Sequence, residues 1–366
     1  MRYMQENGFS VHMVSSPGPE TEFIKINEGC SFTAINMTRK ITPFKDLVSL
    51  YRLWRLIIQL RPAIVHTHTP KAGLLGMLAA SLAGVPVRLH TVAGLPWMES
   101  KGLERFLLKQ MEKATTSFSS RTYVNSAHLM AFMQQERLDP SFTKLKLLAG
   151  GSSNGIDSDY YNRSQSDTVL VDELKRKSRV SAKGFIWLFV GRLVGDKGIS
   201  ELVEAFSAVR VDHPNDQLWL VGPLETGHSL PERCIQAIEN DPNIIHWGYQ
   251  DDVRPFFAAA GALVFPSYRE GFPNVPMQAA AMGCPMILSD INGCNEIVEH
   301  KKNGLLVPFK NARALYEAMV LMRNDDESVQ QYVRLSLALI REKFDNKTIW
   351  KLIETEYRNL LSSNKD

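Results

Sequence analysis

The sequence predicts an α/β protein made of two doubly wound, parallel-sheet domains. Three observations carry this reading. Apolar runs of strand length alternate with helix-period segments along most of the chain, as parallel sheets covered by helices require. The polar run from Asp157 to Thr168 interrupts the alternation and reads as an interdomain hinge. With 366 residues and 44% hydrophobic content, the chain can bury two ordinary cores.

The elements follow in order. A short helical segment, Met1 to Gly8, precedes the strand Ser10 to Ser15. Further strands are expected at Ser31 to Ala34, Ala63 to His68, Val87 to Val92, Ser119 to Val124 and Lys146 to Leu148, with helical stretches between most of them. Beyond the hinge a second series has strands near Ile186 to Val190, Gln217 to Val221, Ile244 to Trp247, Ala262 to Phe265 and Met286 to Ser289. From Ala312 onward the pattern is helical, and Thr348 to Leu361 carries apolar residues at helical spacing.

Composition narrows the function classes. No apolar run approaches the ~18 to 20 residues that span a bilayer, and no signal-peptide pattern opens the sequence. Cys30, Cys234, Cys284 and Cys294 lack metal-ligand spacing and read as reduced thiols, which points to a cytoplasmic protein. Residues 1–150 hold 18 Lys/Arg against 10 Asp/Glu, while residues 151–366 hold 24 against 29. A basic half of this kind faces an anionic surface. Nucleic acid is a poor candidate for that partner, because the charge is not clustered with an aromatic-interleaved binding motif, and none is expected. An anionic membrane fits better, since Asp46 to Leu60 and Lys101 to Lys113 are amphipathic with basic flanks. The same pattern also suits helices that face an α/β core.

The most informative stretch runs from Phe265 to Pro308. A buried run ends at Pro266, the turn Ser267-Tyr268-Arg269-Glu270-Gly271-Phe272-Pro273-Asn274 follows, and a small-residue helix is expected to start close to Glu270. A second strand then leads into Asn292-Gly293-Cys294-Asn295-Glu296 and another helix. Two such turns side by side form a polar pocket at the carboxyl edge of a parallel sheet, with backbone N–H groups aimed at an anion or a sugar hydroxyl. Upstream, the strand ending at Val190 opens into Gly191-Arg192-Leu193-Val194-Gly195-Asp196-Lys197-Gly198. Two more segments stand out, Val65-His66-Thr67-His68-Thr69-Pro70-Lys71-Ala72-Gly73 and Gly151-Ser152-Ser153-Asn154-Gly155-Ile156-Asp157.

These four motifs, in this order, resemble glycosyltransferase family 4, the retaining enzymes of the GT-B fold, and in particular bacterial members that build capsule, O-antigen and exopolysaccharide. The resemblance implies two Rossmann-like domains with a cleft between them. The first, acceptor-side domain would cover residues 1–160 with the terminal helix, residues 345–366, packed back on it. The second, nucleotide-sugar domain would cover residues 161–344. It also implies that Arg192 and Lys197 grip a diphosphate, that Glu270 orients the transferred sugar, and that Gly191, Gly271, Phe272, Pro273, Asn274, Gln278, Gly293 and Glu296 complete the donor site. His66, His68, Lys71 and Gly94 would face the acceptor. No metal and no cofactor is implied, with a UDP-sugar, UDP-N-acetylhexosamine among the possibilities, as co-substrate. The acceptor would be a polyprenyl-diphosphate-linked glycan at the inner face of the cytoplasmic membrane.

The chain departs from the family pattern at three points. The family motif Glu-x7-Glu has Gln278 at its second position, where the amide keeps one acceptor oxygen for the ribose and loses a charge. Ala93 stands in the Thr91-Val92-Ala93-Gly94 turn where many relatives carry a His. Relatives also open with an apolar strand before the segment resembling Met1 to Gly8, so the first strand of the fold is expected to be missing and the natural start to lie upstream. Two alternatives to a transferase therefore stay open at this point: a non-catalytic binding protein of the same fold, and a nucleotide-sugar epimerase.

Overall fold

The computed structural model describes residues 1–18, 21, 28–38, 42–98, 100–152, 154–225 and 230–363. Ser153 of the fourth motif lies outside them. The chain forms two compact units: Met1–Ser153 together with Ile349–Asp366, and Asn154–Thr348. The polar run 157–168 belongs to the second unit, where Arg163 donates to the Ala258 carbonyl at 2.9 Å and Ile156 pairs with the backbone of Phe344 and Asn346.

Unit 2 holds a six-stranded, wholly parallel sheet of β7 (Ile186–Val190), β8 (Gln217–Val221), β9 (Ile244–Gly248), β10 (Ala262–Phe265), β11 (Met286–Ser289) and β12 (Leu305–Val307), in the order β12-β11-β10-β7-β8-β9. All residues of β7, β8, β10 and β11 are buried, which explains why these strands read as continuous apolar runs rather than alternating ones. Trp187, Trp219, Phe189, Phe206 and Phe257 fill the core between the sheet and its covering helices. The edge strand β12 has three residues and left no periodic signal in the sequence. The chain order reverses between β7 and β10, so the crevice outside their carboxyl ends is the topological switch point of this sheet.

Unit 1 contains two parallel sheets among the described residues. One pairs β1 (His12–Ser15) with β2 (Ser31–Ala34), and the other orders β3 (Ile64–Thr67), β4 (Val87–Val92), β5 (Arg121–Val124) and β6 (Leu145–Leu147) in sequence. The helix Asn346–Ser362 contributes Ile353, Tyr357 and Leu360 to a cluster with Val87, Leu89 and Tyr123. Tyr3 donates to Glu354 at 2.9 Å, and Arg358 donates to the Asn7 carbonyl at 2.7 Å, so the first helix is tied to the helix Asn346–Ser362.

The helix Pro43–Leu60 buries only Ser49, Leu53 and Ile57 and leaves Phe44 90% and Leu47 65% exposed. The helix Gly102–Phe118 behaves alike, with Leu103 72% exposed and Phe106 and Leu107 also open to solvent. Both pack against the helix Pro70–Leu82. Their apolar faces are wider than the core of unit 1 uses.

Candidate functional site

Two loops meet at the switch point of unit 2, and glycine makes the meeting possible. After β7 the chain passes Gly191 and the 3-10 turn Gly195–Lys197 to Gly198, whose φ of +69° suits glycine. A Cβ on Gly198 would lie 2.1 Å from the Pro266 carbonyl oxygen, so the loop after β7 runs directly against the loop after β10. Tyr268 N donates to Asp196 O at 2.9 Å and fixes the register. This contact carries Lys197 Nζ to 2.6 Å from Glu270 Oε1, with only 17% and 15% of the two side chains exposed. The residues that the sequence assigned to diphosphate and to sugar therefore form one ion pair.

The turn after β11 backs the same loop. Asn292 Nδ2 donates to the carbonyls of Glu270 and Gly271 at 3.3 and 3.2 Å. Gly293, at φ +78°, sits so close that a Cβ would fall 2.3 Å from Gly271 O. It precedes the four-residue helix Cys294–Ile297, which carries Glu296. Phe272 packs on Phe344 with ring centroids 5.2 Å apart. Here the expected helix start needs correction. Pro273 is extended and the helix runs Asn274–Ala281, so Glu270 stands in the loop instead of at the helix terminus. Gly271 and Pro273 keep the segment out of helical geometry.

The remaining donor-side residues find partners that the sequence did not announce. Arg192 Nη1 contacts both oxygens of Glu225 at 3.0 and 3.2 Å and is 56% exposed, apart from the Lys197–Glu270 pair. Gln278 Nε2 donates to the Tyr161 hydroxyl at 2.8 Å, which leaves its amide oxygen as the acceptor it can offer. Tyr268 donates to Glu201 at 2.7 Å. Tyr161, Glu201 and Glu225 escaped sequence reasoning because each is isolated in a stretch with no motif of its own. A partly buried ammonium with N–H donors to spare, a carboxylate and a glycine-lined turn can together hold an anionic leaving group beside a hydroxyl-bearing substrate.

In unit 1, His66 shares a hydrogen bond with Tyr357 through Nδ1 and with Thr91 through Nε2 (2.7 Å), and its ring stacks on His68 at 4.3 Å. Burial holds the His66 imidazole well below its ordinary pKa. Both ring nitrogens are committed to the fold. Lys71 bonds Asp46 at 2.7 Å, while Gly94, just past β4, faces open space.

Beneath this region lies a buried pair, His90 Nε2 at 3.7 Å from Glu112 Oε1, with His90 Nδ1 sharing a hydrogen bond with Thr67 Oγ1 at 2.9 Å. A Cβ on Gly73 would meet the His90 ring at 2.4 Å, so this glycine gives the imidazole its room. Burial pushes both groups toward their uncharged forms, Glu112 up to about 7 and His90 down to about 4. A carboxyl with a raised native pKa stabilises the fold below its unfolded value, and that contribution is lost as pH rises through about 7. We expect Glu112→Gln to flatten the fall in stability between pH 5 and pH 8, by on the order of 3 kcal/mol. Urea unfolding across that range measures it, and parallel curves for the two proteins would remove Glu112 as the cause.

Comparison with known proteins follows the same division. The family model described as Glycosyl transferases group 1 matches residues 184–325, and Glycosyl transferase 4-like matches residues 1–126. The capsular polysaccharide biosynthesis glycosyltransferase CapM of Staphylococcus aureus is 30% identical, over 100% of this chain and 94% of the relative. A UDP-Gal:alpha-D-GlcNAc-diphosphoundecaprenol alpha-1,3-galactosyltransferase of Escherichia coli is 26% identical, over 87% of this chain and 81% of its own. Among solved structures, Anabaena Alr3699/HepE in complex with UDP superposes with a TM-score of 0.77 at 17% identity, covering 96% of this chain and 92% of that one.

Proposed function

Because the chain belongs to the group 1, family 4-like glycosyltransferases of the GT-B fold, we propose that it transfers a sugar from a UDP-sugar to a lipid-linked glycan during synthesis of a bacterial surface polysaccharide. The Lys197–Glu270 pair at the switch point supports this reading most strongly. Lys197, with Arg192 nearby in sequence, supplies positive charge to the departing diphosphate, and Glu270 accepts from sugar hydroxyls and orients the ring. Gln278, held by Tyr161, offers its amide oxygen to the ribose.

Retention of configuration follows the family resemblance. The bond from the anomeric carbon to the phosphate oxygen breaks, and its electron pair leaves with UDP. The acceptor oxygen bonds to the same face of that carbon, and its proton passes to the leaving phosphate. The names of the Escherichia coli relative and of a Campylobacter jejuni relative, both acting on diphosphoundecaprenol-linked sugars, favour an acceptor of that class. Incubating purified protein with a panel of nucleotide sugars and polyprenyl-diphosphate sugars, read by mass spectrometry, tests the proposal. Transfer from a UDP-sugar with retained configuration supports it. UDP binding without transfer would indicate a binding protein, and sugar conversion without acceptor an epimerase.

A lipid-linked acceptor places the work at a membrane. The exposed apolar residues of helices Pro43–Leu60 and Gly102–Phe118, flanked by Lys45, Arg52, Lys101 and Arg105, suit insertion among anionic headgroups. Phe44→Glu with Leu103→Glu should reduce co-sedimentation with phosphatidylglycerol vesicles at least about tenfold, since each loses apolar burial and adds repulsion. Unchanged sedimentation of the folded variant would move the contact elsewhere.

A further inference from the structure

A groove runs along the amino edge of the unit 2 sheet, the edge opposite the loops described above. Ala260 and Gly261 lead into β10 there, and Gly283 and Pro285 lead into β11, whereas Gly191 and Ser267 leave the other edge. The groove is open to solvent and offers about 680 Å³. One wall is the apolar face of the helix Asp326–Leu339, with Val329, Val333 and Leu337, and its rim carries Arg163, Arg334 and Arg341. Past Gly261 it continues into a hollow of about 380 Å³ bordered by Lys175 and Arg176.

The lining of the groove holds three arginines and no carboxylate, and the adjoining hollow holds a lysine and an arginine and again no carboxylate. Elsewhere in unit 2, Arg192, Arg210, Arg254, Arg269, Arg313 and Arg323 each pair with a carboxylate. Arg163 donates to a backbone carbonyl instead, and among the described residues no ion pair joins Arg334, Arg341, Lys175 or Arg176 to any acid. This is a basic cluster in the half of the chain that carries 24 Lys/Arg against 29 Asp/Glu. Guanidinium groups with N–H donors to spare around an apolar floor match a ligand with a concentrated negative head and a hydrocarbon body. A phosphomonoester carries nearly two charges and takes bidentate bonds from arginine, so it suits a groove lined by three arginines better than a carboxylate does. A concave groove admits one molecule, whereas a bilayer surface needs a convex or flat face.

We propose that this groove binds a single phosphate-headed amphiphile, its head on Arg334, Arg341 and Arg163 and its chain along Val329, Val333 and Leu337. Calorimetry on the full chain with dodecyl phosphate below its micelle concentration, inorganic phosphate and dodecanol tests this. Dodecyl phosphate should bind at least tenfold tighter than either of the other two. Arg334→Glu with Arg341→Glu should weaken it at least tenfold, and Val333→Asp should weaken it as well. Should the charge-reversed protein fail to fold, as judged by circular dichroism, Arg334→Gln with Arg341→Gln serves in its place. Equal affinity of a folded arginine variant for dodecyl phosphate overturns the proposal. So does equal binding of dodecanol, which would mark a merely greasy surface, or of inorganic phosphate, which would mark a bare anion contact. None of these measurements depends on transferase activity.

Discussion

Replacing Lys197 with Ala is expected to lower kcat/KM for the proposed sugar transfer by about 10²- to 10³-fold, the usual loss when one preorganised donor to a developing negative charge is removed. Two effects combine. The leaving diphosphate loses its ammonium, and Glu270, 15% exposed and 2.6 Å from Nζ, loses its ion partner. The companion variant Glu270→Gln separates them, because the amide keeps the shape of the carboxylate without its charge. Its expected result is a large fall in kcat with UDP affinity changed only a few-fold, whereas Lys197→Ala weakens UDP itself. Steady-state kinetics with calorimetric UDP titrations read both. Wild-type UDP affinity in a folded Lys197→Ala protein would detach this lysine from the diphosphate.

The second large effect is expected from Gly293→Ala. An added methyl would lie 2.3 Å from Gly271 O and 2.9 Å from Pro273 Cδ, and the residue would be held at φ +78°. The strain alone costs about 1 to 3 kcal/mol. The loop carrying Glu270 must also shift, and a displacement near 1 Å at a positioned group lowers turnover about 100-fold. Gly283→Ala is the control, since it shares a positive φ (+63°) but meets only side-chain atoms, the nearest at 3.4 Å. It should lower the melting temperature with little change in kcat/KM. If both variants lose only stability, the close approach of Gly293 to Gly271 has no part in positioning Glu270.

Much of unit 2 was legible in the sequence because its strands are buried on both faces. Ile186–Val190, Gln217–Val221, Ala262–Phe265 and Met286–Ser289 stand out as unbroken apolar runs, and the turns after them carry the glycines that close approach demands. What stayed hidden was partnership. Nothing in the string of letters says that Gln278 answers to Tyr161, 117 positions away, or that Arg192 turns to Glu225. Hydrogen bonds of this kind depend on which loops a sheet order brings together. The start of the helix near Glu270 was misjudged for a related reason: small residues at helical spacing begin there, but Gly271 and Pro273 delay the first turn to Asn274. The six strands expected in unit 1 also form, although β1 and β3 are only half-buried.

The place of the final helix in unit 1 also bears on how the protein is made. Tyr357, bonded to His66, and Glu356, bonded to Tyr123 at 3.0 Å, leave the ribosome after every residue of unit 2. Domains usually mature in the order of their synthesis. Here the residues of unit 2 are all translated while the face of β3–β5 still waits for Ile353, Tyr357 and Leu360. Unit 1 therefore reaches its native state after unit 2, and a ribosome that stalls within the helix Asn346–Ser362 holds a chain whose unit 2 is complete and whose apolar face on β3–β5 is uncovered.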